Sequence, residues 1–202
     1  TAIGRSALGA NTTGQRSTVM GFNAGDACTT GSDNCIFGYE AGGAVTTGIE
    51  NTMLGYYAGA ATTTPDYNTF IGSGAGQANI TGAANTTIGA AAGDALTTGA
   101  NNTIAGRDAG GVLNTGTNNL LLGHDSGLSG SPGGALTNDD NKIVLGDENI
   151  AEAHTQVDWT IASDKRDKTD VEPVKMGLEF INKLEPVTYR WDKRIHYVDK
   201  TD

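Results

Sequence analysis

Gly4, Gly21, Gly38, Gly55, Gly72, Gly89, Gly106 and Gly123 stand 17 residues apart. A fixed step of this kind means that each period is one small structural unit that buries its apolar side only by stacking on its neighbours. Gly146 follows after 23 residues, and the extra length falls in "GLSGSPGGALTNDDN" (127–141). Other columns keep the same step: Ala7, Ala24, Ala41, Ala58, Ala75, Ala92 and Ala109, then Gly25 through Gly127, then the Thr-Gly pairs at 13–14, 30–31, 47–48, 81–82, 98–99 and 115–116. Asn34, Asn51, Asn68, Asn85, Asn102 and Asn119 form a fourth column. The unit reads N-T-x-h-G-x-x-A-G-x-x-x-x-T-G-x-x, with h apolar.

Glycine takes positive φ without steric cost, so the glycine columns read as turns. Between turns, "NTFIG" and "NTTIG" read as strands of about four or five residues, rich in Thr and β-branched side chains. A Gly every few residues argues against helix throughout. The repeated Asn suits an amide ladder from coil to coil and a left-handed corner, and the repeated Ala suits a place too close for anything larger. The fold class expected is all-β, a solenoid of 17-residue coils rising about 4.8 Å each.

The residue before the repeat Gly is Ile3, Met20, Phe37, Leu54, Ile71, Ile88, Ala105, Leu122 or Leu145. The one before that is Ala2, Val19, Ile36, Met53, Phe70, Thr87, Ile104, Leu121 or Val144. Successive strand residues point to opposite faces, so both faces are mostly apolar. One lines the coil; the other needs a second surface, which a coil this small does not supply. The economical solution is a homotrimer, intertwined or side by side. A monomeric β-helix is the other reading.

Charge divides the chain. Residues 1–162 hold 4 Lys/Arg and 14 Asp/Glu, while residues 163–202 hold 9 of each. The domains expected are a repeat shaft at 1–146, a connecting strand at 147–162 around Val157, Trp159 and Ile161, and a distinct segment at 163–202. An acidic, Lys-poor shaft argues against nucleic acid as a partner. No apolar run approaches the roughly 20 residues needed to cross a bilayer, so no membrane insertion is expected. The start at Thr1 and the charged end at Asp202 read as those of a fragment or a processed chain.

The last segment has its own signals. Pro173 lies in a first helical turn after Asp170 or Glu172; Val174, Leu178, Ile181 and Leu184 mark one helical face; Pro186 ends the helix, and "VTYRW" (187–191) alternates as a strand. "SDKRDKTDVEPVKMGLEFINKLEPVTYRW" resembles the start of the endosialidase-type intramolecular chaperone, the self-cleaving C-terminal domain of phage tail spikes and fibres. That family opens S-D-x-R-x-K-x-N/D-I/V and continues L-x-x-L-x-P-V-x-Y/F-x-Y/W. Ser163, Asp164, Arg166, Lys168, Asp170 and Val171 match the opening, and Leu184, Pro186, Val187, Tyr189 and Trp191 the continuation. The resemblance implies a small α+β chaperone domain of which 163–202 is the incomplete start. It also implies Ser163 as nucleophile, Lys168 as general base, Ser163–Asp164 as the scissile bond, and Asp164 and Arg166 in support. Lysine serves as a base only when burial or nearby positive charge lowers its pKa. A solvated charged turn is the plain alternative. The coils upstream are similar to repeats of phage fibres and of trimeric bacterial adhesin heads.

The function implied is a structural and adhesive tail fibre in the virion tail. Its partners would be its own copies, other tail proteins and a host cell-surface glycan or protein receptor. The alternative is a trimeric surface adhesin on the bacterial cell surface, without enzymatic activity. An ice-binding solenoid is disfavoured, because Thr beside Gly sits at a turn. Glycan hydrolysis by the shaft lacks a recurring acidic pair. Phe22, Tyr39, Tyr56 and Tyr57 form an aromatic ladder, read either as a receptor patch for sugar rings or as packing against the next chain. Cys28 and Cys35 read as two buried thiols rather than a closed loop. His124, His154 and His196 lack metal-ligand spacing, and Asp139, Asp140 and Asp147 read as a solvated acidic loop rather than a calcium site. The sequons at Asn11, Asn79, Asn85 and Asn101 read as by-products of the repeat. No cofactor or metal is expected.

Overall fold

Each 17-residue period folds as one coil of a parallel β-solenoid, and its strand is the segment leading into the repeat glycine. The computed structural model describes residues 1–154. The strands are β1 (Ala2–Ile3), β2 (Thr18–Met20), β3 (Cys35–Phe37), β4 (Thr52–Leu54), β5 (Thr69–Ile71), β6 (Thr86–Ile88), β7 (Thr103–Ala105), β8 (Leu120–Leu122) and β9 (Ile143–Leu145). They make one sheet in chain order, every pair parallel. Ile36 pairs with Met53 and Phe70 with Thr87, one period on. β8 and β9 keep this register, Leu121 opposite Val144, so the insertion is absorbed outside the sheet. There is no helix among the described residues. The strands are shorter than the four or five residues expected, because a corner closes each of them at both ends.

The middle residue of each strand points into the coil. Val19, Ile36, Met53, Phe70, Ile104 and Leu121 are fully buried, and so are Ala24, Ala41, Ala58, Ala75, Ala92 and Ala109. Burying a Val, Leu, Ile or Phe side chain contributes about 1.5–3 kcal/mol, and one such layer per coil carries the solenoid.

The glycine columns serve two different purposes. Gly38 has φ 144°, and a Cβ there would lie 2.1 Å from the Gly55 carbonyl oxygen. Gly82 is not at positive φ, yet its Cβ would stand 2.1 Å from the Gly99 oxygen. The Thr-Gly column is therefore set by close approach of backbones and not, as the sequence implied, by a left-handed turn.

Left-handed backbone falls instead on residues with side chains. Glu40 and Tyr57 follow the repeat Gly at φ 51° and 55°, while Asp33 and Glu50 precede the strand at 61° and 56°. Such a conformation costs about 1–2 kcal/mol per residue. Bonds to the previous coil oppose that cost: the Glu40 amide donates to the Phe22 carbonyl at 2.9 Å and the Asp33 amide to the Gln15 carbonyl at 3.0 Å. The Asn column lies one residue past this corner, so its members are kept for their amides alone. Asn102 illustrates the pattern. Its Oδ1 accepts from the backbone N–H and the Nδ2 of Asn119, both at 3.0 Å, and its Nδ2 donates to Gly116 O at 2.8 Å.

The buried apolar side chains fall into two clusters. One apolar cluster runs from Val19 to Ala75 and a second from Ala92 to Val144. In the coils of β4, β5 and β6, where the two clusters adjoin, Thr62, Asn79 and Thr87 are buried, and their side-chain polar atoms lack hydrogen-bond partners. An unsatisfied buried polar group costs about 1–3 kcal/mol. Thr87→Val, which keeps shape and removes the hydroxyl, is expected to raise stability by about 1 kcal/mol. Asn102→Ala is expected to lower it by about 1–3 kcal/mol, since it orphans the buried Asn119 amide. Chemical denaturation of both variants beside wild type checks the opposite signs.

Candidate functional site

With the middle residue of a three-residue strand pointing inward, the first and third point outward. The third position forms a column of large apolar side chains in the open. Met20, Leu54, Ile88, Leu122 and Leu145 are between 37% and 48% exposed. Phe37 and Ile71 are half-buried in the same column. Beside it run Thr18, Thr52, Thr69, Thr86 and Thr103, giving way to Leu120 and Ile143 in the last two coils. The sequence placed apolar residues on both faces; the structure assigns the column next to the repeat Gly to the outside. A continuous apolar stripe of this kind marks an interaction surface.

The corner after the strand carries the aromatic residues, and the structure brings all four together. Phe22 stacks on Tyr39 with centroids 5.2 Å apart and planes at 7°, and Tyr39 on Tyr56 at 5.4 Å and 20°. Tyr57 stands edge-on to Tyr56 at 4.4 Å, and the Arg5 guanidinium lies 5.3 Å from the centre of the Phe22 ring. Rings stacked at the coil spacing cover one another's faces, so the column offers mainly edges and hydroxyls to solvent. The Glu40 carboxylate, hydrogen-bonded to Tyr39, raises the pKa of that phenol. Tyr57 is pushed up to about 12, first by desolvation and then by Glu40.

Farther along the same corner the column becomes ionic. Arg107 pairs with Asp108 at 2.5 Å and touches the His124 ring. His124 Nε2 lies 3.2 Å from Asp125, and Nδ1 lies 3.1 Å from Asp147. The His124 hydrogen bond, followed by those from Asn149, lowers the Asp147 pKa. Ligand atoms of Asp108, His124 and Asp125 lie within 4.8 Å of one another, with Arg107 as the cation at their side. Sequence reading missed this cluster because His124 was judged by local spacing; Asp108 and Asp125, one repeat apart, were the signal. Asp139, Asp140 and Asp147 serve separate ends. Asp140 Oδ1 accepts from the Thr117 amide at 2.6 Å, the Asp139 carbonyl accepts from Asn119 at 2.8 Å, and Asp147 holds His124.

The corner before the strand is also exposed. It runs from Arg16, which pairs with Asp33 at 2.6 Å, through Glu50, Tyr67 and Ala84 to Asn101, Asn118 and Asn141. The three asparagines line an open groove of about 380 Å³ with Lys142, Leu120 and Ile143. Both cysteines are free, which agrees with the absence of a closed loop, but only Cys28 is buried. Burial raises its thiol pKa. Cys35 is exposed, contrary to the expectation of two buried thiols, because it takes the outward first position of β3. Among the sequons, Asn79 and Asn85 are fully buried in the coil.

Residues 163–201 match the family model described as "Chaperone of endosialidase". The match covers about a fifth of the chain and contains Ser163, Asp164, Arg166 and Lys168. These four, the helix from Pro173 and the strand at 187–191 lie outside the described residues, as does the connecting strand expected at 147–162 from residue 155 on; residues 147–154 form no strand. No curated protein and no solved structure matches the chain.

The raised Tyr57 pKa has a consequence in alkali. A folded-state value of about 12 against an ordinary 10.0 favours the neutral phenol in the folded chain. That contribution is fully present below about pH 10 and is lost as pH rises through about 12. Ultraviolet titration is expected to show one tyrosine ionising near 12, and Glu40→Gln to bring it closer to the ordinary value. A Glu40→Gln titration identical to wild type contradicts the assigned cause.

Proposed function

We propose that this chain is part of a phage tail fibre, a self-associating shaft followed by a chaperone segment that assembles it and is then cut away. The observation that carries the reading is the outward apolar column of β1–β9 on a chain whose residues 163–201 match the endosialidase chaperone. The match supports a tail-fibre or tail-spike-like trimer, and the column supplies a face for the other chains. In this reading three shafts pack by that face in the virion tail, joined to other tail proteins. Their outer corners meet a host-surface glycan or protein. The edges and hydroxyls of Tyr39 and Tyr56 are the part of the aromatic patch open to a receptor.

Repetitive coils pair out of register at little cost, because a shift of one repeat restores nearly the same contacts. A folding segment that gathers the chains before the shafts meet removes that freedom. Cutting it away leaves a shaft whose resistance to unwinding is kinetic. Ser163 is the nucleophile and a neutral Lys168 takes its proton, with Arg166 helping to lower the lysine pKa and Asp164 beginning the released piece. The net reaction is hydrolysis: one water is taken up, and the Ser163 carboxylate and the Asp164 amine are set free.

Two masses test this. Under denaturing conditions the wild-type chain is expected to give a piece ending at Ser163, whereas Ser163→Ala and Lys168→Ala stay whole. Under native conditions three shafts per particle are expected. Three intact chains would refute the cleavage, and a one-chain native mass the assembly.

A further inference from the structure

We infer that the far face of the Tyr56 ring is a stacking platform for one neutral sugar ring, seated on the next coil over Ser73 and Gly74. The inference rests on the reading above that outer corners of the shaft meet a host receptor. It goes further by naming the ligand class and the face that holds it.

The corner after the strand changes size along the shaft. Its first position carries Phe22, Tyr39 and Tyr56, then Ser73 and Ala90, then Arg107 and His124. Its second carries Asn23, Glu40 and Tyr57, then Gly74 and Ala91, then Asp108 and Asp125. Phe22 is covered on its two faces by Arg5 and Tyr39, and Tyr39 by its two stacked neighbours. Tyr56 ends the stack, so one of its faces meets Tyr39 and the other turns toward the coil of β5.

Tyr57 does not close that second face. Its centroid lies 5.6 Å from Tyr39 and 4.4 Å from Tyr56, and those two are 5.4 Å apart. Three such distances make a nearly equilateral triangle, which puts Tyr57 beside the stack. A ring lying beyond Tyr56 would stand much farther from Tyr39. Exposure agrees: Phe22 is half-buried, Tyr39 is 41% exposed and Tyr56 55%.

Where a further ring would continue the ladder, the coils of β5 and β6 carry only Ser73, Gly74, Ala90 and Ala91 at this corner. The clearance is two coil spacings, about 10 Å, and a stacked ring fills one. The negative face of an aromatic ring attracts the C–H groups on the flat side of a pyranose. The hydroxyls at the sugar's rim then meet Ser73 and the Gln77 amide, whose Oε1 lies 3.3 Å from where a Gly74 Cβ would stand. Both groups donate and accept, as sugar hydroxyls do. Charge selects a neutral sugar. These four corner residues supply no cation, the Glu40 carboxylate is held by the Tyr39 and Tyr57 phenols, and the chain's net charge of −10 opposes an anionic ligand.

Ser73→Phe tests the platform, because it adds a ring in the column of Phe22, Tyr39 and Tyr56 and covers the face while leaving the edges and hydroxyls in place. Full-length protein is titrated with methyl glycosides of glucose, galactose, mannose, N-acetylglucosamine and glucuronic acid, followed by saturation-transfer NMR. Native mass is measured on the same samples. At least one neutral glycoside is expected to bind, with transfer strongest to its ring C–H protons, and the glucuronide to bind more weakly. Ser73→Phe is expected to weaken binding roughly tenfold. Tyr56→Leu, which removes the platform, is expected to do the same and keeps the test decisive if Ser73→Phe does not fold. Tyr67→Leu, an exposed tyrosine at the other corner, is expected to change nothing.

Binding by no neutral glycoside overturns the inference, as does tighter binding of the glucuronide. So does undiminished binding in Ser73→Phe or Tyr56→Leu, which would move the sugar to the ring edges or off the ladder. Each of these results, found with a three-chain native mass, leaves the self-associating shaft standing; a one-chain mass overturns that reading whatever the sugars do.

Discussion

A coil of 17 residues encloses very little. In the coil of β3 the apolar residues inside are Ile36, Ala41 and Val45, and no room remains for Phe37, one residue on. The sheet therefore presents one apolar column inward and a second outward along its whole length. The outward column is a direct consequence of coil size, and a surface of this kind calls for a partner. The proposed assembly, and with it a folding segment to hold the copies in register, answers that excess of apolar surface.

The narrow interior also explains why the backbone is so constrained. Coils stack at a spacing that leaves no space for a Cβ at Gly38 or Gly82. The corners must turn within single residues, so Asp33, Glu40, Glu50 and Tyr57 are left-handed despite their side chains. These residues stand in the corners on either side of the three-residue strands.

Much of this was legible in the sequence. The period gave the solenoid and its register, because a stacked coil tolerates few residue types at each position, and the Ala column read as a place of close approach, which the structure puts inside the coil. The aromatic ladder was visible for the same reason, since Phe22, Tyr39 and Tyr56 share one column. Which apolar column faces out was not legible: Met53 and Leu54 are equally apolar, and only the direction of the pleat separates them. Nor were the left-handed corners, because inter-coil hydrogen bonds override the preferences of Glu and Tyr. Cys35 was misplaced and His124 overlooked because each was judged by chain neighbours rather than by column. The candidate cleavage pair Ser163 and Lys168 was found by resemblance alone, and residues 163–201 match the same family model.

The central claim is that the outward column is covered by other copies in the working protein. Two methionines two coils apart measure it. Met53 is fully buried inside the solenoid and Met20, on the outward column, is 42% exposed in the single chain. Peptide-mapped oxidation of the native full-length protein by dilute peroxide compares them under one condition. The account predicts that Met20 is protected nearly as well as Met53 and becomes reactive only when the particle is dissociated. Rapid oxidation of Met20 in the native particle, with Met53 still protected, would contradict it.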